Sequence, residues 1–214
     1  MESLLSAALE AYVHDHTTAE PELMVRLREE THADLASPQM QVGRVEGAFL
    51  KLMVQISGAR RVLELGTFSG YSALSMASGL PDDGHLITCD IDPVATAVAQ
   101  RYFAESPWGP KIELRLGPAL DTLTSLCAEG AVFDLAFLDA DKESYVAYWN
   151  AVLPMVRPGG IVLADNTLWS GAVLHPEQPS DHGIVAFNRT VAADRRVEHV
   201  LLSVRDGVML CRKK

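Results

Sequence analysis

What most constrains this chain is an alternation. Five short apolar runs, at 60–65, 85–91, 111–116, 132–139 and 159–165, are separated by helical patterns at 70–79, 93–105, 118–129 and 142–156. Regular alternation implies crossover connections, and crossovers imply a mostly parallel sheet covered by helices on both faces. Pro81-Asp82-Asp83-Gly84 and Arg157-Pro158-Gly159-Gly160 read as turns between elements. After the fifth run comes a loop rich in Gly, Pro and Ser at 166–181, then a helical pattern at 182–193. The end breaks the rule: Arg196–Val204 and Val208–Arg212 flank Arg205-Asp206-Gly207, and Asp-Gly between apolar runs signals an antiparallel hairpin. The expected fold class is α/β and Rossmann-like, with helices on both faces of the sheet.

Three helical patterns precede the sheet. Residues 2–13 space Leu4, Leu5, Ala8, Leu9 and Tyr12 at helical intervals. A second pattern runs over 20–36, with Pro21 suited to a first turn, and a third over 45–56. Ser37 to Gly43 breaks the chain between them. At 214 residues the chain is expected to be one domain, with 1–57 as helical decoration and 58–214 as the α/β core.

The net charge of −10 argues against nucleic acid as a partner, because an acidic surface repels a phosphate backbone. Cys89, Cys127 and Cys211 are odd in number and widely spaced, which fits reduced, buried thiols rather than a disulfide framework or a zinc site. Glu2 and Glu10 with no early basic cluster do not make a signal peptide, and no apolar run is long enough to span a bilayer. The expectation is a cytoplasmic protein without membrane contact. His14-Asp15-His16 has no third ligand nearby and reads as a solvated helix end.

In open α/β sheets ligands lie beyond the carboxyl ends of the strands. Strand one ends in Leu63-Glu64-Leu65-Gly66-Thr67-Phe68-Ser69-Gly70-Tyr71-Ser72, a strand, a glycine turn and a helix start. Strand two ends at Asp90-Ile91-Asp92, with Asp90 placed 24 residues after Gly66, where an acid that bonds ribose hydroxyls belongs. Strand four ends at Asp139 and strand five at Asp165. Acids at four of five strand ends do not serve folding, since each is destabilising if buried without a partner. A pyrophosphate cofactor would want a second glycine where Phe68 stands, and a basic group that the loop lacks. The acids suit a cofactor with positive groups and a ribose but no phosphate, a description that S-adenosylmethionine satisfies.

Asp139, Asp165 and Asn166 form a second constellation. Two carboxylates and an amide oxygen make a hard oxygen site, which favours Mg²⁺, or Mn²⁺ or Ca²⁺, over zinc. The alternative for each residue singly is a loop or helix cap. Lys142 follows Asp139 by three residues, so one turn aims both at the same place. Beside a divalent cation its charged form is disfavoured, and its pKa is expected to fall toward the range of a general base.

These motifs, with Gly117-Pro118-Ala119-Leu120, Asp139-Ala140-Asp141-Lys142 and Asp165-Asn166-Thr167-Leu168-Trp169 in that order, resemble the cation-dependent O-methyltransferase family that includes catechol and caffeoyl-CoA O-methyltransferases. The likeness covers about residues 38–212 and is nearer to the bacterial branch. It implies a class I methyltransferase fold with a seven-stranded, mostly parallel sheet. It implies Asp139, Asp165 and Asn166 as metal ligands and Lys142 as the catalytic base. It sets Val42, Glu64, Gly66, Thr67, Ser72, Asp90, Ile91, Ala119 and Asp139 around the cofactor, and Met40, Asp141, Trp169 and Ser170 at the substrate. Ser170 stands where the plant enzymes carry an asparagine. The family also implies a homodimer, with the N-terminal helices as its interface.

The expected reaction is metal-dependent methyl transfer from S-adenosylmethionine to one hydroxyl of a vicinal diphenol, a small phenolic molecule. Two rivals stand beside it: a nicotinamide-dependent oxidoreductase, against which Phe68 and the terminal hairpin speak, and a non-catalytic binding protein on the same scaffold.

Overall fold

The computed structural model describes residues 5–214. Helices α1 (Ala7–Asp15), α2 (Glu22–Asp34) and α3 (Arg44–Ser57) come first, with a single 3-10 turn at Pro38–Met40 between the last two. The expected helix start at residues 2–4 lies outside the described residues. Then follow β1 (Arg61–Leu65), α4 (Tyr71–Ala77), β2 (His85–Asp90), α5 (Pro93–Glu105), β3 (Ile112–Leu116), α6 (Ala119–Ala128), β4 (Phe133–Leu138), α7 (Tyr145–Met155), β5 (Val156–Ala164), α8 (Pro179–Ala193), β6 (Val197–Leu202) and β7 (Val208–Lys213).

The seven strands form one sheet in the order β3-β2-β1-β4-β5-β7-β6. β1 to β5 are parallel, and β7 runs antiparallel to both its neighbours. This is the expected seven-stranded sheet with its terminal hairpin. Register decides where the chemistry falls. Leu65 is level with Cys89 on β2 and with Leu138 on β4, and Leu138 is level with Ala164 on β5. The next residues, Gly66, Asp90, Asp139 and Asp165, therefore emerge along one edge. The strand order reverses between β1 and β4, the place where open sheets bind ligands.

Side chains alternate across each strand, so each face of the sheet builds its own core. On one face Leu63, Leu65 and Leu138 pack with Leu123, Trp149 and Phe187 of α6, α7 and α8. On the other Val62, Leu135 and Phe137 pack with Leu50, Leu74 and Tyr102 of α3, α4 and α5, and Leu27 of α2 joins them. α1 buries none of its residues and leaves Leu9 and Tyr12 exposed.

Three local expectations change. β5 begins at Val156 and absorbs Arg157-Pro158-Gly159-Gly160, which forms a register shift against β4 between Phe133 and Leu135 rather than a separate turn. α8 starts at Pro179 rather than 182, because proline suits a first helical position and Gln178 with Asp181 completes a capping box. Cys127 is exposed, whereas Cys89 and Cys211 are buried as expected, and all three are free thiols.

Candidate active site

A cavity of about 850 Å³ opens over the edge where the four strand ends emerge. Its glycine-loop end is built by the turn after β1. Gly66 sits at φ 98, and a Cβ there would lie 2.3 Å from the Asp139 carbonyl oxygen. The glycine therefore lets two strand ends touch; its first service is to the sheet rather than to a ligand. Phe68 also takes a left-handed φ of 47, held by its N–H, which donates to Asp90 Oδ2 at 2.7 Å. The other oxygen of Asp90 accepts from Asp92 N at 2.9 Å, so the carboxylate is fixed by backbone and keeps spare lone pairs toward the cavity. Thr67 is buried with its hydroxyl 2.6 Å from that of Thr88.

Glu64 lies beneath this loop, fully buried. Thr88 donates to its Oε2 at 2.5 Å, and Oε1 has no partner. Burial raises its pKa to about 8, against the pull of the Ser72 and Thr88 hydroxyls. A buried carboxyl with an orphaned oxygen is a group that still lacks a donor. The segment before α3 folds over this end. Gln41 Nε2 donates to Thr31 Oγ1 and to Ser69 Oγ, both at 2.8 Å, which ties Met40 and Val42 to the glycine loop.

The other end carries Asp139, Asp165, Asn166 and Lys142. Asp139 and Asp165 follow β4 and β5 directly, and Asn166 adopts φ 57. Lys142 Nζ lies 2.8 Å from Asp139 Oδ1 and 2.7 Å from the Tyr145 hydroxyl, 4.8 Å from the Tyr145 ring and 5.9 Å from the Trp169 ring. Burial pulls Lys142 down, but the Asp139 carboxylate outweighs it, so the pKa stands above that of an ordinary lysine. That is the balance without a cation; the expected lowering belongs to the cation-bound site, where a second positive charge would stand beside the amine. Burial drives Asp139 and Asp165 upward, Asp165 also because of the nearby Glu46 charge.

Asp165 Oδ1 is buried with no donor group beside it and lies by the Glu46 carboxyl, so a proton shared with Glu46 or a bound cation would satisfy it. Among the described residues no three His, Cys, Asp or Glu side chains stand close enough to hold a metal by themselves. The expected set has only two such residues and takes its third oxygen from the Asn166 amide. Hard oxygen donors and an orphaned buried carboxylate oxygen fit a divalent cation. His14 and His16 form no ligand cluster; Tyr12 and His16 stack at 3.9 Å as part of a helix end.

Most expected site residues meet at this cavity. Met40, Val42, Gly66, Thr67, Ser72, Asp90, Ile91, Ala119, Asp139, Asp141, Lys142, Asp165, Asn166 and Trp169 all line it. Two do not. Glu64 is below the floor rather than on the wall. Ser170 is exposed, outside the lining, with its N–H donating to Asp206 Oδ1 at 2.6 Å; a left-handed φ of 50 turns it away. Asp141 reaches the cavity but also caps the turn at Lys142–Ser144 and accepts from the Tyr148 hydroxyl.

Sequence reasoning missed Arg205, Glu46 and Tyr145. Arg205 leans from the β6–β7 turn into the cavity, with Nη1 donating to Glu46 Oε2 at 2.6 Å. Glu46 is on α3 and buried, level with Leu50 and Val54 at four-residue steps. An acid on the buried stripe of a helix was the available signal. Nothing local marks Arg205, which sits in an ordinary-looking turn.

A family model described as O-methyltransferase matches residues 14–214. The chain belongs to the O-methyltransferase family. Caffeoyl-CoA O-methyltransferase 2 of Zea mays is 39% identical over 205 residues, covering 91% of this chain and 77% of that protein. Among solved structures, the O-methyltransferase TomG of Streptomyces achromogenes, in complex with SAM, superposes with a TM-score of 0.90 at 30% identity over 97% of this chain and 96% of its own. The O-methyltransferase of Bacillus cereus in complex with SAH gives a TM-score of 0.90 at 31% identity over 97% of each chain. The two bacterial O-methyltransferases share this fold, and family membership removes the nicotinamide reading. Among the described residues no helix is long and apolar enough to cross a membrane.

Proposed function

We propose that this O-methyltransferase uses S-adenosylmethionine and a divalent cation to methylate one hydroxyl of a vicinal diphenol, a small phenolic molecule. The observation that carries the reading is the juxtaposition of Lys142 and Asp139 with Asp165 and Asn166 at one end of a cavity whose other end is the Gly66–Asp90 loop. TomG and the Bacillus cereus enzyme, with SAM and SAH bound, support the choice of cofactor.

In this reading Asp90 and Ile91 face the ribose and adenine, with Ala119 beside them. Thr67, Gly66, Ser72 and Val42 enclose the remainder, and Glu64 acts on the cofactor from beneath the floor. Asp139, Asp165 and Asn166 hold Mg²⁺, or Mn²⁺ or Ca²⁺. The two bound groups supply what side chains cannot, a methyl donor and a positive charge that stabilises a phenolate.

The chain's own work is positioning and proton transfer. A phenol has a pKa near 10, as tyrosine does, so little anion exists at neutral pH without help. Lys142 takes the acceptor's proton at Nζ. In the chain alone Lys142 holds its proton, so the reading requires the cation's charge to offset Asp139 and Asp165. Met40, Trp169 and Asp141 wall the acceptor, and Gln41 keeps the Met40 segment closed over the loop. Ser170 contributes to this wall only if the 168–171 backbone rotates. Alignment of acceptor oxygen and methyl group supplies much of the acceleration. The reading includes a homodimer formed through the exposed Leu9 and Tyr12 face of α1, for which light scattering at micromolar concentration is the check.

The test is a screen of vicinal diphenols against S-adenosylmethionine with and without Mg²⁺. Methylation of a diphenol, but not of its mono-phenol counterpart, and only with the cation, is the expected result. Transfer that ignores both the second hydroxyl and the cation would overturn it.

A further inference from the structure

We infer that Tyr145 is a positioning residue, the group that fixes where the Lys142 amine points. The inference rests on Lys142 being the base of the proposed reaction and adds a residue that acts through it.

Tyr145 opens α7, one turn after Lys142, and its side chain is fully buried. The hydroxyl proton is shared between the carbonyl oxygens of Leu138 and Asp165, 3.1 Å from each. With its proton so engaged, the phenolic oxygen accepts from Lys142 Nζ at 2.7 Å. Asp139 Oδ1 accepts from the same nitrogen at 2.8 Å.

Beyond Cε the Lys142 nitrogen has three tetrahedral positions: all are N–H bonds in the charged form, and one becomes the lone pair when the amine acts as a base. Held by Asp139 alone, it would rotate about Cε–Nζ and carry its lone pair around a cone. A second fixed acceptor ends that freedom. Two of the three positions are then engaged, so the direction of the third, from which the base works, is fixed as well; Lys142 is itself part of the cavity lining. An acceptor O–H arriving there passes its proton to Nζ, and the electrons of the broken O–H bond stay on oxygen as the nucleophilic pair. The Tyr145 hydroxyl keeps its own proton throughout.

The rival role is packing. The ring lies edge-on to Phe187 at 5.2 Å, and phenylalanine would keep that contact. The Leu138 carbonyl also accepts from Asp165 N at 3.0 Å, so removing the hydroxyl does not orphan it.

The experiment is a cycle of four proteins, wild type, Y145F, K142A and K142A/Y145F, assayed with catechol, S-adenosylmethionine and Mg²⁺. Binding of S-adenosylhomocysteine is followed by calorimetry as a check on the fold. Y145F is expected to lower kcat on the order of tenfold to a hundredfold, the usual penalty for a misplaced catalytic group, with catechol KM and cofactor Kd unchanged. In the K142A background the same change should do nothing, because the residue it acts through is gone. An equal loss in both backgrounds would assign the hydroxyl to packing and overturn the inference. Wild-type kcat in Y145F beside an inactive K142A would overturn it and leave Lys142 as base. A fully active K142A, or a wild type that leaves catechol unmethylated, would remove the reading on which the inference stands and the inference with it.

Discussion

Arg205→Met removes one half of a buried ion pair, and its effect can be worked from the geometry. Arg205 Nη1 lies 2.6 Å from Glu46 Oε2, and the side chains are 33% and 1% exposed. Breaking a buried pair by deleting one partner typically costs about 3–5 kcal/mol. Two effects reduce this. Arg205 is partly solvated, so water already screens some of the attraction. Glu46 can also take up a proton instead of staying charged. With an unfolded pKa near 4.3, protonation at pH 7 costs about 1.36 × 2.7, or roughly 3.7 kcal/mol, which caps the penalty. Burial already raises the Glu46 pKa with Arg205 in place, so the working figure is about 2–3 kcal/mol at pH 7.

The sign of the pH dependence follows. In the variant the folded pKa of Glu46 lies further above its unfolded value. Between the two values the folded state holds more protons than the unfolded state, so stability falls as pH rises. The penalty relative to wild type should be near its full value at pH 7 and shrink to about 1 kcal/mol at pH 5, where the protonation cap is only about 1.36 × 0.7. Urea unfolding by circular dichroism at the two pH values measures it. Arg205 also sits at φ 47, a strain of about 1 kcal/mol for a residue with a Cβ, so Arg205→Gly should be milder than Arg205→Met by about that much. A penalty equal at pH 5 and pH 7 would refute the role of Glu46 charge, and a glycine variant no milder than methionine would refute the strain.

Lys142→Ala is expected to lower kcat on the order of a hundredfold or more while S-adenosylmethionine binding by calorimetry stays nearly unchanged. EDTA should abolish methylation of a diphenol, and added Mg²⁺ should restore it; turnover that persists after chelation and dialysis would count against the cation. Asp90→Ala removes the acceptor of the Phe68 and Asp92 N–H groups and should weaken cofactor binding by roughly tenfold to a hundredfold, with acceptor KM little changed.

The sheet was legible because its signal is repetitive: each strand is a short apolar run, and parallel order follows from the helices between runs. The strand-end acids were legible for the same reason, since register in a parallel sheet places equivalent residues on one edge. What failed locally did so where one residue type serves two structures. Proline marks a loop and also a helix start, which moved the beginning of α8 to Pro179. The Arg157–Gly160 segment has a turn's composition yet carries a bulge inside β5, because Val156 pairs with Phe133 before it and Ile161 pairs with Leu135 and Arg212 after it.

The site shows where sequence reasoning stops. Asp139, Lys142, Asp165 and Asn166 are readable because three-residue spacing and strand ends bring them together through the local chain. Glu46 and Arg205 meet across 159 residues, and only the closed sheet joins α3 to the β6–β7 turn. Their pairing also explains an otherwise costly arrangement. Buried Glu46 and Asp165 and half-buried Asp139 place three carboxyls near enough to raise one another, and Lys142 alone does not balance them. Arg205 answers Glu46 directly and favours the charged forms of Asp139 and Asp165 as well. Even so, burial leaves all three carboxyls raised, and with Lys142 and Arg205 set against three acids the chain without a ligand keeps one charge unbalanced. A cation bound by Asp139, Asp165 and Asn166 would relieve that excess, and in doing so would stabilise the fold more at pH 8 than at pH 6. Thermal melts with and without Mg²⁺ at those two pH values read this directly; a stabilisation equal at both would show that the carboxyls are already charged in the metal-free chain.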